Sequence, residues 1–218
     1  MNKRRHDRCS PPSQGDRNER GRRMRVSKER AAQNRQQILS AAARLFRENG
    51  IRATGVDSIS RSAGVTHGAV YSQFESKEAL AAEAIRLALS RWRRVWQRAA
   101  DRKRPSEAFR SIVTGYLSPE HRDSPGRGCV VAALGPSVAR QPRKVRAAFT
   151  GELKDAVDFL AALVPGNDPS RRHEDALAAF ACMIGALILA RAVDDRRLSG
   201  QILDAAAKRV IRGQRRGK

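Results

Sequence analysis

The chain has 218 residues and a formal net charge of +22 at pH 7, with 44 Lys and Arg residues against 22 Asp and Glu residues. A chain of this length can hold a core without disulfides or metal, and its three cysteines form no Cys-x-x-Cys pair, which argues against a disulfide framework and a structural zinc site. The basic excess favours a polyanionic partner, nucleic acid first and an anionic membrane second, although an arginine-rich genome also raises such a charge.

No segment of the sequence predicts export or membrane insertion. The basic first thirty residues lack the apolar stretch of a secretory signal. The longest uncharged run, residues 176–190, is shorter than the ~18 residues that suggest a membrane span, so it predicts a buried helix. We therefore expect a cytoplasmic protein with reduced thiols and no membrane partner.

Residues 1–27 are rich in arginine and contain almost no apolar side chains. Such a segment cannot offset the entropy cost of ordering, so it is predicted to be a disordered basic arm. The arm either lies along DNA or is a solvated tail without a partner.

From residue 28 onward, apolar residues recur at helical spacing, and Gly, Pro and capping residues mark the segment ends. The pattern predicts helices over residues 28–49, 56–62, 66–74, 76–104, 106–117, 129–139, 142–163, 170–193 and from 199 onward. Ser170 and Ser199 are the expected caps of the last two, and residues 118–128 are expected to be a loop. With about nine helices and no strand pattern of useful length, the chain is predicted to be all-α.

Residues 56–74 have the spacing of a helix-turn-helix motif. Gly64 in the turn suits a positive φ, and Thr66 can cap the second helix. In this motif the second helix lies in the major groove with its N-terminal residues at base edges. We therefore predict a DNA-binding domain over residues 28–75, with the motif at about 56–75, followed by a larger helical domain over 76–218.

The exposed face of that second helix suits double-stranded DNA better than water. Gly68 and Ala69 are small enough for close approach, and His67 can exchange a hydrogen bond with a base edge. Tyr71 can donate its hydroxyl to a phosphate. The alternatives are a solvated imidazole at His67 and plain ring packing at Tyr71.

Lys77 lies in the first turn of the next helix, where the helix dipole disfavours a cation. A DNA phosphate at this helix end would remove the conflict. The alternative is that Glu75 and Glu78 offset the charge without any ligand.

The stretches I-L-S-A-A-A-R-L-F-R-E-N-G from residue 38 and A-G-V-T-H-G-A-V-Y-S-Q-F-E-S-K-E-A-L from residue 63 resemble the DNA-binding domain of TetR/AcrR-family transcriptional regulators. The resemblance spans about residues 30–90. It implies base or groove contacts from Thr66, His67, Gly68 and Ala69, and DNA-backbone contacts from Tyr71, Gln73 and Lys77.

Three positions depart from the family pattern. Gln73 replaces a residue that is often aromatic or His, Ser60 a small apolar residue, and Gly55 a capping hydroxyl. Gln73 can still donate to a phosphate, and Gly55 is a weaker but acceptable N-cap. The departures leave the operator half-site undetermined.

Beyond residue 90, the resemblance implies a domain that encloses a small-molecule pocket and dimerises through its last two long helices. The expected interface residues on those two helices are Leu177, Phe180, Ile184, Leu187, Ile188, Ile202 and Val210. Small residues at 181, 185 and 186 allow close helix approach, as a homodimer requires. The alternative is a central helix of a monomeric bundle.

An apolar pocket for an aromatic or amphipathic effector is expected around Trp96, Phe109, Tyr116 and Leu134. Plain core packing explains these four residues equally well. Cys129 is either an oxidant sensor activated by Arg127 or a quiet buried cysteine.

No motif predicts an enzyme, a cofactor or a metal site, because the four histidines are scattered and the only His/Asp/Glu cluster, around His121, is explained by loop polarity. The sequence favours a dimeric repressor that a small-molecule ligand releases from a near-palindromic operator. The alternative is a basic protein that coats DNA without sequence preference.

Overall fold

The computed structural model describes residues 14–214, with side chains from residue 28 onward, and this part of the chain contains helices and no strand. The helices are α1 (Gln14–Asn49), α2 (Val56–Ala63), α3 (His67–Gln73), α4 (Lys77–Ala100), α5 (Pro105–Tyr116), α6 (Pro119–Arg122), α7 (Val130–Val138), α8 (Arg143–Ala161), α9 (Pro169–Ala192) and α10 (Arg196–Gly213). The all-α prediction is confirmed.

The helices pack in two halves that share α4. α1 packs against α2, α3 and α4, while α4 continues into the second half of the chain and packs against α5 and α8. α9 lies between α8 and α10, and the buried apolar side chains of both halves form one continuous core. α4 therefore belongs to both halves and connects them rigidly.

The structure differs from the sequence-based expectations at several element ends. α1 begins at Gln14, so the second part of the predicted disordered arm is helical, in keeping with its Arg and Glu content and its lack of proline. Residues 1–13 of the arm lie outside the described residues. The predicted loop 118–128 contains α6 and a 3-10 turn, Pro125–Arg127.

The last two helices begin earlier than predicted, because aspartates rather than serines cap them. Asp168 accepts a hydrogen bond from the Ser170 backbone nitrogen at 2.9 Å. Asp195 accepts from the backbone nitrogens of Arg197 and Leu198. The Ser199 hydroxyl instead donates to the Ala190 carbonyl at 2.6 Å and ties α10 to α9.

α9 is, among the described helices, the one long and apolar enough to cross a membrane by length and composition, with a mean hydropathy of 1.8. It packs against α7, α8 and α10, but only 39% of its apolar window is buried. The prediction of a buried helix at residues 176–190 is therefore right for one side of α9.

His121 is a buried structural residue and not merely a polar loop residue. Its Nδ1 lies 2.7 Å from the Tyr116 carbonyl, and its Nε2 accepts a hydrogen bond from the Cys129 backbone nitrogen at 3.0 Å. These bonds require a neutral ring with its proton on Nδ1. Burial lowers the pKa of His121 to about 4.

We expect the free energy of unfolding to fall by on the order of 3 kcal/mol as the pH is lowered from about 6.5 to about 4. The unfolded state then binds a proton on His121 that the folded state excludes. The contribution is isolated by comparing urea unfolding of the natural protein and His121→Gln at each pH. Parallel pH profiles for the two proteins would contradict it.

Candidate nucleic-acid interface

The turn between α2 and α3 has the backbone geometry that the sequence predicts. Gly64 adopts the left-handed conformation, with φ of 67°, and its nitrogen donates to the Arg61 carbonyl. The Val65 nitrogen donates to the Ser60 carbonyl at 3.1 Å. Any other residue at 64 would be strained, because a Cβ disfavours positive φ. The turn therefore fixes the angle at which α3 leaves α2.

A small contact area holds α3, so most of the helix is exposed. Thr66 caps it by accepting from the Ala69 nitrogen at 3.3 Å. Val70 is its one buried side chain and lies in the same core as Ile59 and Phe74. The N-terminal face of α3 is left free to meet a partner.

His67, Gly68 and Tyr71 are exposed on this face, and Ala69 is half-buried. The rings of His67 and Tyr71 meet edge to face, with centroids 5.1 Å apart, and His67 Nε2 lies 3.3 Å from a carboxylate oxygen of Asp57. Asp57 thus orients the His67 ring from the start of α2. Apart from its chain neighbours and the backbone of α3, no described atom lies within 4 Å of the position that a Cβ on Gly68 would occupy, so this part of the surface is open.

Lys77 lies at the first turn of α4, as predicted, and its Nζ donates to the Arg52 carbonyl at 3.2 Å. Ser76 caps the helix by accepting from the Ala79 nitrogen. Glu75 lies 3.7 Å from Lys144, so its charge is directed to another cation. The ammonium group of Lys77 is held beside a helix N-terminus, an arrangement that suits an anion.

Arg35 is a residue of this site that the sequence pattern did not single out. One guanidinium nitrogen donates to the Gln73 carbonyl at 2.8 Å, another pairs with Glu83, and the group stacks 4.3 Å from the Phe74 ring centroid. Arg35 therefore satisfies a carbonyl at the C-terminal end of α3 and joins that end to α1 and α4. Gln73 itself is half-buried.

Three of the seven expected interface residues are wrong for a contact between protomers. Phe180, Leu187 and Val210 are buried in the protomer's own core, with exposed fractions of 2%, 0% and 6%. The buried residues of α9 recur three and four positions apart along one side of the helix. Leu177 is exposed, whereas Ile184, Ile188 and Ile202 are half-buried, so these four stay candidates.

The unburied side of α9 also carries residues that the sequence analysis did not place in the interface. Leu189 is 56% exposed, and Leu198 at the start of α10 is 43% exposed. Gly185 has open space where a Cβ would lie, whereas Ala186 faces the core. An apolar face therefore runs along α9 and onto α10 without a partner among the described residues.

Of the four expected pocket residues, Trp96 lines a cavity beside α4, whereas Phe109, Tyr116 and Leu134 are buried in the core and are not among the residues that line it. The cavity has a volume of about 10 Å³, space for about one water molecule. The residues that line it come from α4, α8, α9 and the start of α7, and they include Leu89, Trp92, Trp96, Cys129, Glu152 and Phe180. The Tyr116 ring packs against Trp92, Trp96 and Phe180.

Cys129 is fully buried, and burial raises the pKa of its thiol. Arg127 is exposed and does not act on the thiol. This environment favours the quiet buried cysteine over the oxidant sensor, because reactive cysteines have a lowered pKa. In the part of the chain that the structure describes, no three His, Cys, Asp or Glu residues are grouped to hold a metal ion.

Comparison with known proteins shows what this chain is similar to. Residues 38–84 match the family model for bacterial regulatory proteins of the tetR family. The chain is 41% identical over 66 residues to the HTH-type transcriptional regulator AcrR of Shigella flexneri, an alignment that covers 30% of this chain and 31% of that protein. It is 44% identical over 52 residues to the HTH-type transcriptional repressor KstR2 of Rhodococcus jostii, covering 24% of this chain and 26% of that protein.

The matched segment thus spans less than a third of these curated relatives. Among solved structures, a TetR transcriptional regulator from Chloroflexus aurantiacus superposes with a TM-score of 0.72 at 21% identity, covering 86% of this chain and 97% of that one. The similarity of fold therefore covers both halves of the chain.

Proposed function

We propose that this chain is a TetR-family protein and a DNA-binding transcriptional regulator that represses from a near-palindromic operator until a small-molecule ligand releases it. The cytoplasm is the compartment that this role requires. The relatives named above are regulators of transcription, and none of them is named as an enzyme.

The exposed N-terminal face of α3 is the observation that carries the proposal. A single buried residue anchors the helix, while Thr66 caps it and His67, Gly68 and Tyr71 face outward. In a helix-turn-helix protein this face enters the major groove. Lys77 at the start of α4 supplies a cation beside the same surface for the DNA backbone.

A second copy of the chain is the proposed partner of the apolar face of α9 and α10. Two copies related by a twofold axis present two α3 helices to successive major grooves, which explains a near-palindromic operator. The face carries Leu177, Ile184, Ile188 and Leu189 on one side of α9. Burying these residues against a partner removes apolar surface from water.

The effector site that we propose is the cavity beside α4. Trp96 Nε1, a buried donor of its aromatic cluster, has no hydrogen-bond partner among the described residues, whereas the Tyr116 hydroxyl interacts with the Cys129 thiol. Unpaired buried donors are costly, so an aromatic effector with a hydrogen-bond acceptor suits this cavity. A ligand larger than water must widen the cavity, and we propose that it does so by displacing α4, which lines the cavity and carries Lys77.

Ligand and operator then weaken each other's binding reciprocally, by about 1–3 kcal/mol. Both tryptophans of the chain line the cavity, so intrinsic fluorescence reports ligand entry directly. Equal ligand affinity with and without operator DNA would contradict this release mechanism.

A competition shift assay tests the function. Labelled DNA from upstream of the protein's own gene is challenged with unlabelled random DNA at fixed salt. A specific regulator prefers the upstream DNA by at least about 1,000-fold. Equal competition would favour the alternative, a basic protein that coats DNA through its charge of +22.

His67→Ala is expected to change which bases are preferred at one position of each half-site, with little loss of affinity for random DNA. The reason is that His67 lies on the outward face of α3, where Asp57 and Tyr71 orient its ring. Selection of bound sequences from a random duplex pool measures the change. An unaltered preference would show that His67 does not read a base.

A further inference from the structure

A basic groove lies at the junction of the two halves of the chain, apart from the α3 face and the cavity beside α4. It has a volume of about 490 Å³ and opens to solvent between α1, the end of α2, α4 and the 3-10 turn. Four of its lining residues are arginines and two are serines: Arg44, Arg47, Arg91, Arg127, Ser40 and Ser62.

Arg47 is the most buried of these cations, and no carboxylate among the described side chains pairs with it. Its Nε donates to the Gly126 carbonyl at 2.9 Å, and its Nη2 contacts the same oxygen. Burial and the nearby positive charge of Arg91 lower the pKa of Arg47 to about 10. Because this half-buried guanidinium hydrogen-bonds only to a neutral carbonyl, its charge is compensated only in part, by the nearby Glu48 carboxylate.

The other three groove arginines add further positive charge beside Arg47. Arg91 Nη2 donates to the Ser40 hydroxyl at 3.0 Å, so its guanidinium has a neutral partner within the groove, and Arg44 Nη2 donates to the Ser62 hydroxyl at 2.8 Å. Glu48 is the one carboxylate that pairs with a groove arginine of the described chain, and its partner is Arg44. The Arg127 side chain is exposed.

We propose that this groove binds a phosphate-bearing anion. Convergent guanidinium groups offer forked donors that match phosphate oxygens, and a dianionic group balances the positive excess better than a single carboxylate. The two serine hydroxyls each keep a proton to donate to the anion. The phosphate belongs either to the DNA backbone or to a free phosphorylated compound, and both sources share this chemistry.

Such an anion would clamp the two halves of the protein together. Arg47 and Arg44 belong to α1 of the DNA-binding half, whereas Arg127 follows α6 in the larger half and Arg91 lies on α4, which joins them. An anion that contacts all four holds the orientation of α1 relative to the larger domain. The groove is thus a second point, besides the cavity, where binding controls the DNA-reading helices.

The test uses inorganic pyrophosphate as the probe and the full chain at constant ionic strength. Calorimetric titration is expected to show saturable binding of one pyrophosphate per protomer. The double variant Arg91→Ala/Arg127→Ala removes two exposed groove cations and spares the half-buried Arg47, so it is expected to fold. It should weaken pyrophosphate binding at least tenfold.

Arg143→Ala/Arg146→Ala is the matched control, because it removes the same charge from an exposed surface of α8. This control should keep the natural affinity for pyrophosphate. Equal loss in both double variants, or no saturable binding in the natural protein, would overturn the proposal. Thermal unfolding of both variants without pyrophosphate confirms that each is folded.

A random 30-base-pair duplex then distinguishes the two sources of phosphate. If the DNA backbone occupies the groove, the groove variant lowers the slope of log affinity against log salt by about two relative to the control, and pyrophosphate competes with the duplex. If a free compound occupies it, the two variants bind the duplex equally. The pyrophosphate titration does not depend on DNA recognition, so anion binding by the groove is tested independently of the proposed function.

Discussion

Gly68→Glu is expected to reduce affinity for operator DNA at least 100-fold while leaving the protein folded. A carboxylate at this position stands on the outward face of α3 and meets the negative charge of the groove, where like-charge contact costs about 3 kcal/mol or more. The fold tolerates the change because no described atom outside the backbone of α3 and the chain neighbours lies within 4 Å of the new Cβ. A glutamate in the first turn of α3 is also favourable for the helix itself.

Gly151→Glu on α8 is the matched control, since Gly151 is exposed and has the same open space around it. Both variants lower the net charge by one, so long-range electrostatics affects them alike. Fluorescence anisotropy with labelled operator measures the two affinities, and urea unfolding checks the fold. Equal affinities for the two variants would mean that DNA does not contact α3.

Gly185→Arg is expected to dissociate the dimer and to weaken operator binding about 100-fold or more. Gly185 lies on the unburied side of α9 in open space, so the protomer accepts the side chain, and an arginine is a better helix former than glycine. In the dimer, the same side chain would separate two closely packed helices and bury an unpaired charge. Loss of the second half-site removes the gain from bivalent binding.

Analytical ultracentrifugation measures the oligomeric state, with Gly151→Arg on α8 as the control that keeps the dimer. Leu187→Arg would not test the dimer interface. Leu187 has no exposed surface in the protomer, so its replacement by a charged residue is expected to unfold the chain. A stable dimer of Gly185→Arg would exclude this side of α9 from the interface.

The site on α3 was predictable from sequence because its determinants are neighbours along the chain. A positive φ at Gly64, a threonine cap at Thr66 and a serine cap at Ser76 depend on backbone geometry within one or two turns. The structure has each of them at the predicted residue. That DNA binds there stays a prediction.

The errors share a physical cause, since they concern choices that local pattern leaves open. α9 is apolar nearly all round, so its sequence cannot tell which side faces the core, and packing against α8 and α10 buries Phe180 and Leu187. For the caps of α9 and α10, an aspartate competes with a serine a few residues later, and the structure selects Asp168 and Asp195.

The sequence by itself determined the helical class and the helix-turn-helix with its outward small residues, because short-range hydrogen bonding and backbone sterics decide both. Only the tertiary structure decided which contacts join distant segments. Arg35 reaches the Gln73 carbonyl across 38 positions, and Arg47 reaches the Gly126 carbonyl across 79. No periodicity in the sequence predicts a contact between residues so far apart. The packing of the folded core brings them together.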